Sequence, residues 1–326
     1  MPLLCSAIVE HVDSEENHTV LAILQTFMRN QGDAWTWTFE EVKRVLELVA
    51  LTPAQGDHTG QEGFGTYVPR ARWLAMRTAE MHMALATLTT DPAFKAEALT
   101  FDDVRQSTDR TRDLAKHAFA RLRKIGAKTS DDIRAGAERL LNRRQQCFRL
   151  IDALEREPEG AIKIRIHGDY RLSRLLVVKD DIFIVDFGEG PSISPAHRRI
   201  KTSPLRDVAV MLHSFAQAIS AAKRDVAGRL PDTTLAAARL REELIEFSQI
   251  FVQAYMDTAR DSPVWIEDKE TRRRLLVLYL LAEALHEIES EAENRPDWID
   301  TPIGSVNAIL DRMGREMGAG FHSHER

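Results

Sequence analysis

Apolar residues recur at helical spacing along most of this chain, while strand-type patterning is confined to two short regions. A chain patterned this way has to be built mainly of helices around small pieces of β structure. The first strand region, residues 3–28, reads as a hairpin: 3–12 is rich in strand formers, 13–18 is a polar turn, and 19–28 is again apolar and partly β-branched. The second runs from 161 to 166, through His167-Gly168-Asp169, to 175–178 and 182–186. Between them, Thr38 followed by Glu40 and Glu41 predicts a helix start, with the helix ending near Leu51. The glycine-containing stretch 52–67 predicts a loop. From 68 to 154 the pattern is helical, with Leu74, Arg77, Thr78, Met81 and Leu85 on one face and 137–154 as a second strong run. Helices are predicted again over 207–222, 235–258 and 271–293; Pro296 and Trp298 then interrupt the pattern before a last helix at 305–317.

Charge and cysteine usage narrow the function classes. Lysine plus arginine number 44 against 50 acidic residues, a net charge of −6, and the basic residues are spread along the chain. That distribution offers nucleic acid no concentrated patch. Cys5 and Cys147 form neither a metal-ligand spacing nor a disulfide framework, and the N-terminus lacks the basic and apolar regions of a signal peptide. A cytoplasmic location is expected. No stretch approaches the roughly 20 apolar residues needed to span a bilayer.

The block Ile164-Arg165-Ile166-His167-Gly168-Asp169-Tyr170-Arg171-Leu172 is followed by Ile182-Phe183-Ile184-Val185-Asp186-Phe187-Gly188. Asp169 and Asp186 stand 17 positions apart at the ends of short apolar strands, so a hairpin can bring both carboxylates to one side of a cleft. Phosphoryl transfer needs such a pair, one to orient and deprotonate the attacking hydroxyl and one to hold Mg²⁺ against the nucleotide phosphates. Aspartates are also ordinary turn residues, and the pair gains weight from a third block, Lys201-Thr202-Ser203-Pro204-Leu205-Arg206-Asp207-Val208-Ala209.

Taken in order and at this spacing, HGDY, IFIVDF and HRRIKTSPLRDVAVMLHSF closely resemble the bacterial maltokinases, within the aminoglycoside-kinase-like superfamily and often fused behind a trehalose synthase domain. The resemblance extends to Thr19–Phe27 with Asn30-Gln31-Gly32-Asp33-Ala34-Trp35, to Arg77-Thr78-Ala79-Glu80 with His82, and to Asn294-Arg295-Pro296-Asp297-Trp298. It implies an α+β, predominantly α, kinase-like C-lobe. Residues 1–30 would be a remnant N-lobe hairpin and hinge, 31–67 a connection, 68–317 the helical lobe with its catalytic hairpin at 161–187, and 318–326 a tail. Asp169 would be the catalytic base and His167 would brace its loop. Asp186 would be a Mg²⁺ ligand, Arg206 and Asp207 would support the region, and Gln25, Thr26 and Phe27 would meet adenine through backbone groups. Glu80, His82 and Tyr170 are substrate-lining candidates, although a histidine on an apolar helix face also suits core packing. The same choice between sugar stacking and core packing stands for Trp35, Trp37 and Trp265.

The implied reaction is transfer of the ATP γ-phosphoryl group to the anomeric hydroxyl of maltose, with no membrane or nucleic-acid partner. Two rivals are a catalytically silent sugar-binding relative and a kinase for glucosamine or an aminoglycoside. Four features depart from the family. Position 174 is Arg where the family has a Gln that serves as the second metal ligand, and a guanidinium has no lone pair for a metal. Position 171 is Arg for His, and Gly188 replaces a Glu, with Glu189 next door. The chain also begins at what resembles the penultimate N-lobe strand, so an open sheet edge available for self-association, or for a trehalose synthase, is expected.

Overall fold

The computed structural model describes residues 5–14, 16, 18–51, 68–87, 89–125, 129–179, 181–188, 199–227 and 234–321. The loop expected at 52–67, the first two residues of the expected hairpin, Glu189 and residues 322–326 of the expected tail lie outside them. The N-terminal strands are β1 (Cys5–Val12) and β2 (His18–Gln25), antiparallel, with register shifts at Cys5/Ala7 and Val9/Glu10. Every residue of β2 is exposed, as are Ala7 to Val12 of β1, so neither face of the hairpin is packed on the core.

Helix α1 (Ala34–Leu51) begins four residues before the expected Thr38. The reason is local: the Asp33 carboxylate accepts the Thr36 N–H at 2.7 Å, as an N-cap does, whereas the Thr38 hydroxyl is buried and donates back to Ala34 O at 2.7 Å. Helix α2 (Val68–Leu85) is followed by an extended stretch that contains β3 (Glu97–Ala98), where the helical pattern suggested continuity. A capping box then starts α3 (Phe101–Leu122): the Thr100 hydroxyl accepts from Asp103 N, and the Asp103 carboxylate accepts from Thr100 N. The run expected at 137–154 divides at Arg143 into α4 (Asp131–Asn142) and α5 (Arg144–Leu154).

The second strand region is shorter than its sequence suggests. Only β4 (Ile162–Lys163) forms a ladder near its start, paired with β3, and Ile164 bridges to Thr202. A 3₁₀ turn over Leu172–Arg174 leads to β5 (Leu175–Val178), which pairs in antiparallel register with β6 (Asp181–Ile184). The hairpin expected over 161–187 is therefore confined to 175–184. On its other edge, Gln31 N donates to Val177 O at 2.8 Å and Val177 N to Gly32 O at 3.0 Å. These bonds tie the segment that leaves β2 directly to the hairpin.

The remaining helices are α6 (Leu205–Val226), α7 (Thr234–Ala259) and α8 (Lys269–Asn294), each close to its expected span, and α9 (Asp300–Phe321), which starts five residues before the expected 305 and runs four past 317 into the expected tail; a 3₁₀ turn at Pro296–Trp298 separates the last two. Helix α2 packs on α7, α3 on α8, α6 on α1 and α8, and α9 on α4 and α8. Phe215, Phe247 and Phe251 meet in this core, with the Phe215 and Phe247 ring centroids 3.8 Å apart. Complete burial of an aromatic such as Phe251 contributes about 1.5–3 kcal/mol. Among the described residues, no helix is long and apolar enough to cross a membrane.

Candidate phosphoryl-transfer site

The loop between β4 and the 3₁₀ turn is held from beneath by one buried carboxylate. Asp207, in the first turn of α6 and 0% exposed, accepts the His167 N–H at 2.7 Å and the Gly168 N–H at 3.0 Å. Gly168 has φ +90°, a conformation that favours glycine, and this lets two successive N–H groups converge on one side chain. The imidazole of His82 stands between the Asp207 carboxylate (3.2 Å) and the Tyr255 hydroxyl (2.9 Å), joining α2, α6 and α7 below the loop.

His167 fastens the loop to the far hairpin. Its Nε2 lies 2.9 Å from Val185 O, which can only accept, and its Nδ1 lies 3.3 Å from Asp169 N, which can only donate. One neutral tautomer satisfies both contacts. Burial, the largest influence, lowers the His167 pKa below the ordinary value and favours that form. The ring also stacks on Phe187 at 4.7 Å, and Gly188 N donates to His167 O at 2.8 Å. Gly188 has φ +104°, so the residue that departs from the family pattern suits its backbone conformation.

Asp169 and Asp186 do come together, and Arg174 stands between them. Its Nη2 and Nε lie 2.7 and 3.1 Å from Asp169 Oδ2, and its Nη1 lies 3.2 Å from Asp186 Oδ2. Arg171 donates from Nε to Asp169 Oδ1 at 2.8 Å and from Nη2 to Glu283 of α8 at 2.8 Å. Burial acts to raise the Asp169 pKa, but the hydrogen bonds and charges of Arg174 and Arg171 outweigh it and hold the carboxyl below the ordinary aspartate value. Three of the roughly four lone-pair directions of the carboxylate are used. Oδ1 retains room for one further donor.

This donor set does not fit Mg²⁺. Two carboxylates are present, but a guanidinium that offers only N–H groups spans the space between them. Among the described residues, no group of three histidine, cysteine, aspartate or glutamate side chains could enclose an ion.

The other expected site residues are distributed unevenly. His82 and Tyr170 are 0% exposed, so they underlie the loop rather than face an opening; Tyr170 meets the Thr78 hydroxyl at 2.9 Å. Glu80 is exposed and pairs with Arg77, which also holds Asp181 at the start of β6. Arg206 lies beside Asp207, and its N–H donates to Ser203 O at 3.0 Å. Gln25 ends β2, and Thr26 and Phe27 follow it in exposed, irregular backbone. Trp35 packs against the core, the Trp37 ring lies under Arg70, and the Trp265 ring meets Arg260 and Arg272. Residue-level reading missed Glu283, Ser214 and Tyr255. Ser214, about two helical turns beyond Arg206, accepts the Leu172 N–H at 3.1 Å and sets the start of the 3₁₀ turn.

No protein-family model matches the chain. Among solved structures it is similar to a glucosamine kinase in complex with glucosamine, ADP and inorganic phosphate, with 24% identity and a TM-score of 0.67 over 90% of this chain and 61% of that one. A second structure of glucosamine kinase, crystal form B, gives 22% identity and a TM-score of 0.69 over 90% of this chain and 62% of that one. This chain spans less than two thirds of the length of each. The fold is kinase-like.

Proposed function

We propose that the chain is a sugar phosphotransferase module of maltokinase type, which uses ATP to phosphorylate the anomeric hydroxyl of maltose. The observation that carries this reading is the assembly of Asp169 and Asp186 across one guanidinium, with Asp169 on a loop fixed by Asp207. Phosphoryl transfer draws most of its acceleration from positioning and charge stabilisation, and a braced carboxylate supplies the first. The free side of Asp169 Oδ1 accepts the sugar hydroxyl and orients it. The depressed pKa makes Asp169 a weak base, so orientation is its larger contribution. The exposed backbone at Thr26 and Phe27 suits an adenine edge. Glucosamine is the rival acceptor, because the similar solved kinase binds it.

A second reading has a specific observation behind it. Both oxygens of Asp169 and one of Asp186 are engaged by arginines, which is the arrangement of a catalytically silent sugar-binding relative. The test is release of ADP from ATP by the purified chain, with maltose, glucosamine or no acceptor, beside Asp169→Asn. Acceptor-dependent turnover reduced at least about 100-fold in Asp169→Asn establishes the phosphotransferase. No turnover, with maltose still bound in calorimetry, establishes the silent relative.

A further inference from the structure

We propose that Arg174 is a built-in cation between Asp169 and Asp186 that stands in for a divalent ion, so that the site takes up a phosphate-bearing ligand without one. The nucleotide side of this inference rests on the phosphotransferase reading; the cation side does not.

Three features of the chain support it. First, Arg174 is anchored at its backbone: its N–H donates to Arg171 O at 2.9 Å, and its carbonyl accepts from Val185 N at 3.0 Å, one residue before Asp186. The guanidinium and the Asp186 carboxylate therefore start from neighbouring positions just beyond the same end of the β5–β6 hairpin. Second, Asp186 has φ +59°, in the left-handed region that non-glycine residues adopt only when the surroundings hold them there. Val185 on one side is bonded to His167, and Gly188 on the other is bonded to the His167 carbonyl. Asp186 is thus held facing Arg174 by contacts on both flanks.

Third, fixed positive charge already occupies the pocket. The guanidinium of Arg174 engages Asp169 and Asp186, and that of Arg171 engages Asp169 and Glu283. A divalent ion arriving between the carboxylates would displace or face a fixed positive charge. A phosphate would meet the opposite situation. Of the five N–H donors of a guanidinium, Arg174 commits three to the carboxylates. Two remain, one each on Nη1 and Nη2, on a side chain 34% exposed, and guanidinium N–H groups suit phosphate oxygens.

Two measurements on the full chain test the inference separately from the phosphotransferase reading. In a Mn²⁺ titration followed by the paramagnetic resonance of the free ion, the wild-type chain is expected to take up no ion at this site. Arg174→Gln should gain a site, and Arg174→Gln/Asp186→Asn should lose it again. Uptake by the wild type that Asp186→Asn abolishes, or no gain in Arg174→Gln, overturns the built-in cation. In calorimetry with ADP, wild-type affinity should be the same in chelator and in Mg²⁺, whereas Arg174→Gln should bind at least roughly tenfold tighter with Mg²⁺. Wild-type binding that requires Mg²⁺ overturns the inference. Failure of the wild type to bind ADP under either condition removes the nucleotide reading, and the Mn²⁺ result still decides the role of Arg174.

Discussion

The side chain on which the site most depends is Asp207, because its two carboxylate oxygens serve three donors from two other parts of the chain. Replacement by Asn keeps the size but removes the charge, and it turns an amide NH₂ toward a backbone N–H that needs an acceptor. Asp207→Asn is expected to lower the unfolding free energy by roughly 3 kcal/mol, measured by urea denaturation. A loss below about 1 kcal/mol would show that the loop does not depend on this carboxylate. Asp207 was legible only within the Arg206-Asp207 motif. Its partner His82 lies 125 positions away, and periodicity reports which face of α2 is apolar without saying which polar atom it meets. The bridging contact of Arg174 was hidden for the same reason. A guanidinium at position 174 argues against a metal ligand, but only the folded hairpin shows which carboxylates it spans.

At the scale of elements, the long amphipathic helices were readable from sequence because their apolar faces repeat over several turns. The errors fall where a local polar contact outranks the pattern. Asp33 caps α1 ahead of Thr38, and a turn at Arg143 divides α4 from α5 with no glycine or proline to mark it. The ladder of β3 with β4 is two residues long, too short for any alternation to register. The β1–β2 hairpin was legible, yet its exposure on both faces was not. Leu21, Leu24 and Phe27 are 66%, 63% and 83% exposed. Two strands with apolar side chains in water and open edges invite pairing with a second copy. The chain is expected to self-associate as its concentration rises, and Leu21→Lys with Ile23→Lys should shift light scattering toward the monomer. A wild-type chain that scatters as a monomer throughout contradicts this.

Across the whole molecule, the site is continuous with a buried ionic layer between α6 and α8. Arg171 links Asp169 to Glu283, and one turn further along α8 Glu287 pairs with the buried His213. Burial opposes ionisation of His213, but its hydrogen bond to Glu287 and the charges of Glu287 and Glu283 outweigh that cost and the opposing Arg171, so its pKa is raised above the ordinary 6.5. A raised folded-state value means that this pair stabilises the fold fully below about pH 6.5 and less as pH rises through the folded value. Urea midpoints should therefore fall between about pH 6 and pH 9 in the wild type and fall less in His213→Gln. Equal slopes in the two chains would show that the imidazole does not carry this dependence.

A positive charge carried by a side chain differs from one carried by an ion in a way that reaches beyond the site. Arg174 is attached to the backbone, so its presence between Asp169 and Asp186 has no dissociation constant and does not follow the composition of the medium. Chelators, competing calcium and magnesium shortage have no purchase on it. A charge held this way is a matter of covalent attachment rather than of chemical equilibrium, and the position empties when the side chain rotates out of it.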